Sequence, residues 1–290
     1  MKRYTSEEIK EFVSKPIFDE KVILNKDPSF PKISIVTPSY NQAQFLERTI
    51  LSVLNQNYPN LEYIIIDGGS TDGSVEIIKK YEKYLAYWVS EKDRGQSHAL
   101  NKGFQRATGE LVGWQNSDDI YLPDAFKKVA DVYKENSHYD VYFGNMYFID
   151  NDDNIFRDMR FVKFSPISLI YEGTILANQS AFISRSVFDR FGCLSESHKF
   201  TMDYEFWVRI RKSKFYFIRE FLGCFRLHKD AKSSTIKDIG LLEHRMVLVN
   251  NGFNPDRLSF KFLKYLSKIR RAILFISQSD IDYVIRGIFK

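Results

Sequence analysis

Asp118 and Asp119 are adjacent carboxylates at the point where the apolar run Leu111-Val112 gives way, through Gly113-Trp114-Gln115-Asn116-Ser117, to a loop ahead of Pro123. Ligands of open α/β sheets bind outside the carboxyl ends of the strands, so acids at a strand end can act on something held there. The ligands that suit such acids are a hard divalent cation, which prefers oxygen donors, and the phosphates that complete its shell. Read alone, such a pair is more often a solvated turn former. A second acidic loop, Asp67-Gly68-Gly69-Ser70-Thr71-Asp72-Gly73, has glycines that let a ligand approach the backbone and carboxylates able to accept from a base N–H; it also fits a tight turn with a helix cap. It is neither a Gly-x-Gly-x-x-Gly fingerprint nor a P-loop. Asp93 lies in a third acidic loop. Asp203 and Glu205 fall in the first turn of a helix, where Asp203 also fits a cap and Glu205 an ion pair with Arg209 one turn on. His228 follows the end of a strand, a position that also suits a packing residue.

The elements that must position these groups are legible as alternating strands and helices. Strands are expected over 33–37, where Pro38 stops the run, and over 61–66, 85–89 and 110–114. Helices are expected over 45–54, 74–84, 96–107 and 123–135. This alternation implies right-handed βαβ units and a mostly parallel sheet with helices on both faces. Asp67, Asp93 and Asp118 would then end neighbouring strands on one edge. Beyond 126 the pattern is no longer simple α/β. A hairpin is expected over 141–149 and 155–161, a strand over 179–183, helices over 186–191 and 202–211, and a long aromatic strand over 215–225. Residues 1–31 form an arm that opens with a Thr5-x-x-Glu8 capping box.

Composition bounds the class. The chain has 290 residues, 44% hydrophobic and 27% charged, enough to bury a large core. Its two cysteines, Cys193 and Cys224, lack Cys-x-x-Cys spacing and suit a reducing compartment. Met1-Lys2-Arg3-Tyr4 leads into polar residues, so no secretory signal is expected, and no apolar run approaches the ~18 residues that span a bilayer. A cytoplasmic protein is expected, free or peripheral on the inner face of the membrane. The net charge of +5 is local: residues from Arg257 onward carry +6 and the rest −1, which argues against a broad nucleic-acid-binding face.

Thr37-Pro38-Ser39-Tyr40-Asn41-Gln42, Ile66-Asp67-Gly68-Gly69-Ser70-Thr71-Asp72-Gly73-Ser74, Ser90-Glu91-Lys92-Asp93-Arg94-Gly95-Gln96-Ser97-His98-Ala99-Leu100-Asn101-Lys102-Gly103 and Asn116-Ser117-Asp118-Asp119 together resemble, in order, the four signature segments of the glycosyltransferase family 2 catalytic domain. The resemblance is dense over 32–125 and looser to about 235. It implies a GT-A fold and inverting, metal-dependent transfer of a sugar from a nucleotide-sugar, with UDP as the expected nucleotide. The acceptor would be a saccharide or lipid-linked saccharide in cell-surface polysaccharide assembly. Carried over by position, Thr37, Pro38 and Tyr40 line the base pocket, Asp67 accepts from the base, and Asp93 sits by the nucleoside. Asp118 faces the ribose or diphosphate, and Asp119 binds Mn²⁺ or Mg²⁺. The family's acidic signature is often Asp-x-Asp; Asn116 and Ser117 stand where the earlier acid would be, which favours Asp119 over Asp118 as the ligand. His228, in a motif running from Phe225 to Ser234, completes the metal shell. Asp203, in Met202-Asp203-Tyr204-Glu205-Phe206-Trp207-Val208-Arg209, is the base.

The expected division is an arm (1–31), a catalytic domain (32–235, with a nucleotide-sugar half over 32–125 and an acceptor half over 126–235) and a basic helical extension (236–290). Within the extension, Phe262, Leu266, Ile269 and Ile273 share one helix face, with Lys261, Lys264, Lys268 and Arg271 largely on the other. That pattern suits either peripheral contact with anionic membrane through 257–290 or a helix docked on the core with solvated lysines. The rival functions are a sugar-phosphate nucleotidylyltransferase, which carries a Gly-rich, Arg-containing loop after its first strand that Thr37-Pro38-Ser39-Tyr40 does not match, and a non-catalytic nucleotide-sugar-binding module.

Overall fold

In the computed structural model, which describes residues 1–228 and 237–288, the apolar runs of the first half become four parallel strands: β1 (Ile33–Ser39), β2 (Leu61–Asp67), β3 (Tyr87–Ser90) and β4 (Leu111–Trp114). β1 and β2 are buried along their whole length, which is why they read as continuous apolar runs. Their residues alternate between two cores: Ile33, Ile35, Tyr63 and Ile65 pack on one face, Val36, Ile64 and Ile66 on the other. The arm holds α1 (Ser6–Ser14) and α2 (Glu20–Leu24), and α3 (Ala43–Leu54), α4 (Ser74–Tyr81) and α5 (Gln96–Arg106) connect the strands. The capping box forms as expected, Thr5 accepting from the Glu8 N–H at 3.2 Å and Glu8 from the Thr5 N–H at 2.7 Å. The buried side of α1 joins a small core with Ile120, Leu122 and Phe221.

The second half contributes β5 (Ile120–Tyr121), α6 (Ala125–Glu135), β6 (Val141–Ile149), β7 (Ile155–Met159), α7 (Pro166–Glu172), β8 (Ala181–Ser184), α8 (Arg185–Phe191), α9 (Met202–Arg209) and β9 (Phe215–Arg226). α10 (Lys237–Asn250), α11 (Leu258–Ser277) and α12 (Ile281–Ile288) follow. One sheet runs β3-β2-β1-β4-β8-β6-β9-β5, with β7 paired to β6. From β4 outward it becomes mixed: β8 is antiparallel to β4 and β6, β9 is parallel to β6, and β5 is antiparallel to β9. This is the expected α/β class, parallel in the first half and mixed in the second. Residues 229–234 of the motif that begins at Phe225, and the expected boundary at 235/236, lie outside the described residues.

β1 runs on through Pro38 to Ser39, past its expected stop, and two other boundaries move for local reasons. α6 starts at Ala125 because Asp124 adopts φ 63°. The expected strand over 155–161 ends at Met159, and Arg160 turns inward to meet Asp158, Asp280 and Asp282 at 2.8–2.9 Å, clamping the start of α12 to the hairpin. α11 docks on α7 through Phe260, whose ring meets Tyr171 at 4.7 Å, and Ser267, which shares a 2.8 Å hydrogen bond with Ser168 and donates to Glu172 at 2.6 Å; Phe275 packs on Tyr283 of α12. The face bearing Phe262, Leu266, Ile269 and Ile273 is therefore not the docked one and is exposed. Among the described residues, no helix is long and apolar enough to cross a membrane.

Candidate active site

The parallel register sets Ser39 beside Asp67 and Asp67 beside Ser90, so the loops after β1, β2 and β3 are neighbours. With the loop after β4 they border one cleft of about 1160 Å³. Pro38, Ser39, Tyr40, Gly68, Asp93 and Gln96 line one part of it, Trp114, Asn116 and Asp118 another, and Asn178, Asp203, Tyr204, Leu241 and His244 a third.

Of the expected donor-binding residues, Pro38, Tyr40, Asp93 and Asp118 line this cleft. Thr37 does not: it is fully buried and shares a 3.1 Å hydrogen bond with Tyr63. Asp67 is also fully buried, and its carboxylate is engaged by its own loop. It accepts from the N–H groups of Gly69 and Ser70 at 3.0 and 2.8 Å and from the hydroxyls of Ser70 and Ser90 at 2.6 Å. Four donors on one carboxylate hold the loop rigid and leave Gly68 to face the cleft. A Cβ on Gly68 would lie 2.7 Å from Asp93 Oδ2 and 3.2 Å from the Tyr40 ring, so only glycine lets these two side chains close on either side of it. Asp93 is oriented by the Gly95 N–H, which donates to Oδ1 at 2.7 Å.

The adjacent acids are placed in the reverse of their sequence ranking. Asp119 is 0% exposed and does not border the cleft. Its Oδ1 accepts the Arg226 N–H at 2.8 Å, and its Oδ2 accepts Asn116 Nδ2 and Gln179 Nε2, both at 2.8 Å. Burial, and then the charge of Asp118, push its pKa up, against three N–H donors that favour the ionised form. Asp118 borders the cleft, with Oδ2 3.1 Å from His228 Nε2. Arg226 lies beneath the loop, fully buried; its Nε donates to the Asp118 carbonyl at 2.7 Å, its Nη1 to the Asp150 carbonyl at 2.5 Å, and its guanidinium stacks over Phe45 at 4.7 Å. Gln179 reaches Asp119 because β9 carries Gly223 where a Cβ would lie 1.9 Å from the Gln179 carbonyl oxygen.

Asp118 thus borders the cleft with His228 buried beside it, one oxygen and one nitrogen 3.1 Å apart. Among the described residues no three carboxylates, imidazoles or thiols cluster as a metal site. A cation that takes the rest of its shell from donor phosphates needs only one or two protein groups, so this pair fits one.

Asp203 lines the cleft in the first turn of α9, and its Oδ1 accepts the Tyr204 N–H at 2.7 Å. It is not the helix cap, a position held by Thr201. Glu205 turns away and pairs with Arg209 at 2.9 Å. The approach to α9 is held from a distant helix. Glu243 on α10 accepts the N–H groups of Lys199, Phe200 and Thr201 at 2.7, 2.8 and 2.9 Å. Burial raises the Glu243 pKa, but these backbone donors outweigh it and the net shift is downward. His244 stacks on Tyr204 at 4.3 Å; burial, then the charge of Lys264, lower its pKa and favour the neutral ring. Sequence reasoning missed Gln179, Arg226, Glu243 and His244. Arg226, two residues before His228 at the end of an apolar strand, was the one available signal; the others act across distances that no local pattern encodes. Three buried polar atoms bordering the cleft, Ser39 Oγ, Trp114 Nε1 and Asn178 Nδ2, have no hydrogen-bond partner among the described residues.

A parallel sheet whose strand ends carry Gly68, Asp93 and Asp118 into one cleft, extended by mixed strands to a helix bearing Asp203, is the architecture of a GT-A glycosyltransferase. The Staphylococcus aureus protein TarS 1–349 in complex with UDP-GlcNAc superposes with a TM-score of 0.61 at 18% identity, over 75% of this chain and 66% of that one. A mannosyltransferase from Pyrobaculum calidifontis in complex with GDP-Man and Mn²⁺ gives 0.52 at 20% identity, over 78% and 64%. This chain therefore spans less than two thirds of both solved structures. Residues 34–193 match Glycosyl transferase family 2, and an uncharacterized glycosyltransferase of Rickettsia typhi is 30% identical over 219 residues, 71% of this chain and 67% of the relative. The chain belongs to glycosyl transferase family 2. It is an enzyme, a glycosyltransferase, which sets aside the nucleotidylyltransferase and the non-catalytic module.

Proposed function

We propose that the protein is an inverting glycosyltransferase that moves a sugar from a nucleotide-sugar, with UDP the expected nucleotide, to a saccharide or lipid-linked saccharide. The observation that carries this is one cleft bordered by the Gly68–Asp93 cradle, by Asp118 against His228 at 3.1 Å, and by Asp203. The base and ribose pack between Tyr40, Gly68 and Asp93, with Asp67 bracing the loop from behind and Thr37 fixing the end of β1. Ser39 Oγ, Trp114 Nε1 and Asn178 Nδ2 supply polar groups for sugar hydroxyls, since buried polar atoms require partners. Asp118 and His228 hold the divalent cation, and Asp119 fixes the loop that presents Asp118. When bound, the cation offsets charge on the departing diphosphate.

Asp203 takes the acceptor hydroxyl proton. The acceptor oxygen bonds to the anomeric carbon from the face opposite the diphosphate, the bond from that carbon to the diphosphate oxygen breaks, and the configuration inverts. A positioned base is worth ~10² to 10⁴ in rate. Assembly of a cell-surface polysaccharide is the process that the family resemblance supports. A thermal-shift screen of nucleotide-sugars with and without Mn²⁺ finds the donor, because ligands that bind only the folded state raise its apparent stability. With that donor, Asp203→Asn should reduce turnover ~10²-fold or more while nucleotide binding by calorimetry stays unchanged. Wild-type turnover in the variant would remove Asp203 from the role.

A further inference from the structure

The basic C-terminal helix has a second, undocked face. α11 is held to α7 through Phe260 and Ser267 and to α12 through Phe275, and on its other side Leu258, Phe262, Leu266, Ile269, Ile273 and Ile276 form an exposed row, with Phe262 at 60% and Ile273 at 59% exposure. Their spacing keeps them on one stripe at 3.6 residues per turn, with Lys261 and Lys268 on one flank and Arg270 on the other. From 258 to 277 there are five Lys/Arg and no Asp or Glu. Arg271 is paired with Glu172, whereas Lys261, Lys264, Lys268 and Arg270 form no ion pair among the described residues. An apolar row of this length is more than scattered surface hydrophobicity.

We propose that this face of α11 is a docking surface for an anionic lipid bilayer. The charge pattern selects that occupant over a second copy of the chain. A helix-to-helix contact along this stripe would set basic side chains against basic side chains at both flanks, where stable helix pairs place opposite charges. A bilayer takes up the apolar row, while long basic side chains reach the anionic headgroups on either side. α10 also carries exposed apolar residues: Ile239, Leu242, Met246 and Val249 lie on the side opposite the cleft-lining Gly240 and His244. Lys264 of α11 is close enough to His244 to act on its charge. The proposal rests on the surface and not on the transfer reaction.

The test is sedimentation of the full chain with vesicles of phosphatidylcholine alone or mixed with phosphatidylglycerol, at low and high salt. Binding should rise at least about tenfold with phosphatidylglycerol and fall with salt. Ile269→Glu with Ile273→Glu should abolish it, and Lys261→Glu with Lys268→Glu should abolish the phosphatidylglycerol preference. Both pairs should leave the melting temperature unchanged, because these side chains are exposed. No sedimentation with phosphatidylglycerol vesicles at low salt overturns the proposal. So does a dimer by light scattering that the isoleucine variants dissociate, since a second copy would then cover the face. Donor turnover is untouched by either result, so the proposed reaction stands or falls separately.

Discussion

The two halves of the cleft are braced in different ways. On the nucleotide side the partners are local: Asp67 is held by Gly69, Ser70 and the neighbouring strand's Ser90, and Asp93 by Gly95. Around Asp119 and Asp203 the partners are remote: Gln179 and Arg226 reach Asp119 across 60 and 107 residues, and Glu243 reaches the approach to α9 across more than 40. Local bracing lets a loop form its geometry as soon as its strand is in place. Remote bracing makes the geometry around Asp119 and Asp203 a product of the completed sheet and of α10.

The sharpest test of this contrast is the acidic pair. Asp119→Ala should cost roughly 3 kcal/mol of stability in urea unfolding, because three buried N–H donors lose their acceptor at about 1–3 kcal/mol each. Asp118→Ala should leave stability nearly unchanged and remove the Mn²⁺ dependence of the nucleotide thermal shift. Equal destabilisation by both would end the division of roles drawn here.

Acid provides a second test, on the nucleotide side. Burial raises the Glu62 pKa, but hydrogen bonds from Lys32, Ser34 and Thr108 outweigh it and lower it to about 2. A folded pKa below the unfolded value contributes stability that is complete above pH ~4.5 and lost as pH falls toward about 2, here about 3 kcal/mol. Glu62→Gln should flatten the pH dependence of unfolding across that window, and an unchanged slope would place the acid sensitivity elsewhere.

The smallest expected effect lies on the acceptor side. Glu243→Gln should weaken the hold on the loop over 199–201 and lower kcat roughly tenfold, since small misplacements of a catalytic group are costly. Nucleotide affinity should not change. A parallel loss of nucleotide affinity would mean that α10 supports the whole cleft and not the Asp203 side alone.

The same contrast explains what could be read from sequence. The parallel half, the acidic strand ends and the cleft-lining positions of Tyr40, Asp93 and Asp203 were legible because strand, turn and helix signals lie within a few residues of each acid. Which of Asp118 and Asp119 faces the cleft was not, because Gln179 and the backbone of Arg226 decide it and neither is near the pair in sequence. The cleft wall supplied by α10 was hidden in a segment whose composition announces only a basic, amphipathic extension. The undocked stripe of α11 was half legible: periodicity found the face, but only packing on α7 reveals which side is covered.

Arg226 also changes how the cleft must be pictured electrically. A pocket lined by Asp93, Asp118 and Asp203 reads as a concentration of negative charge that should repel a diphosphate. The buried guanidinium beneath the loop donates to the Asp118 carbonyl, stacks on Phe45 and is ion-paired with Asp153, which Arg48 also holds at 2.8 Å. Two guanidiniums thus share one buried carboxylate, a positive cluster beneath the loop that offsets part of the loop's own charge.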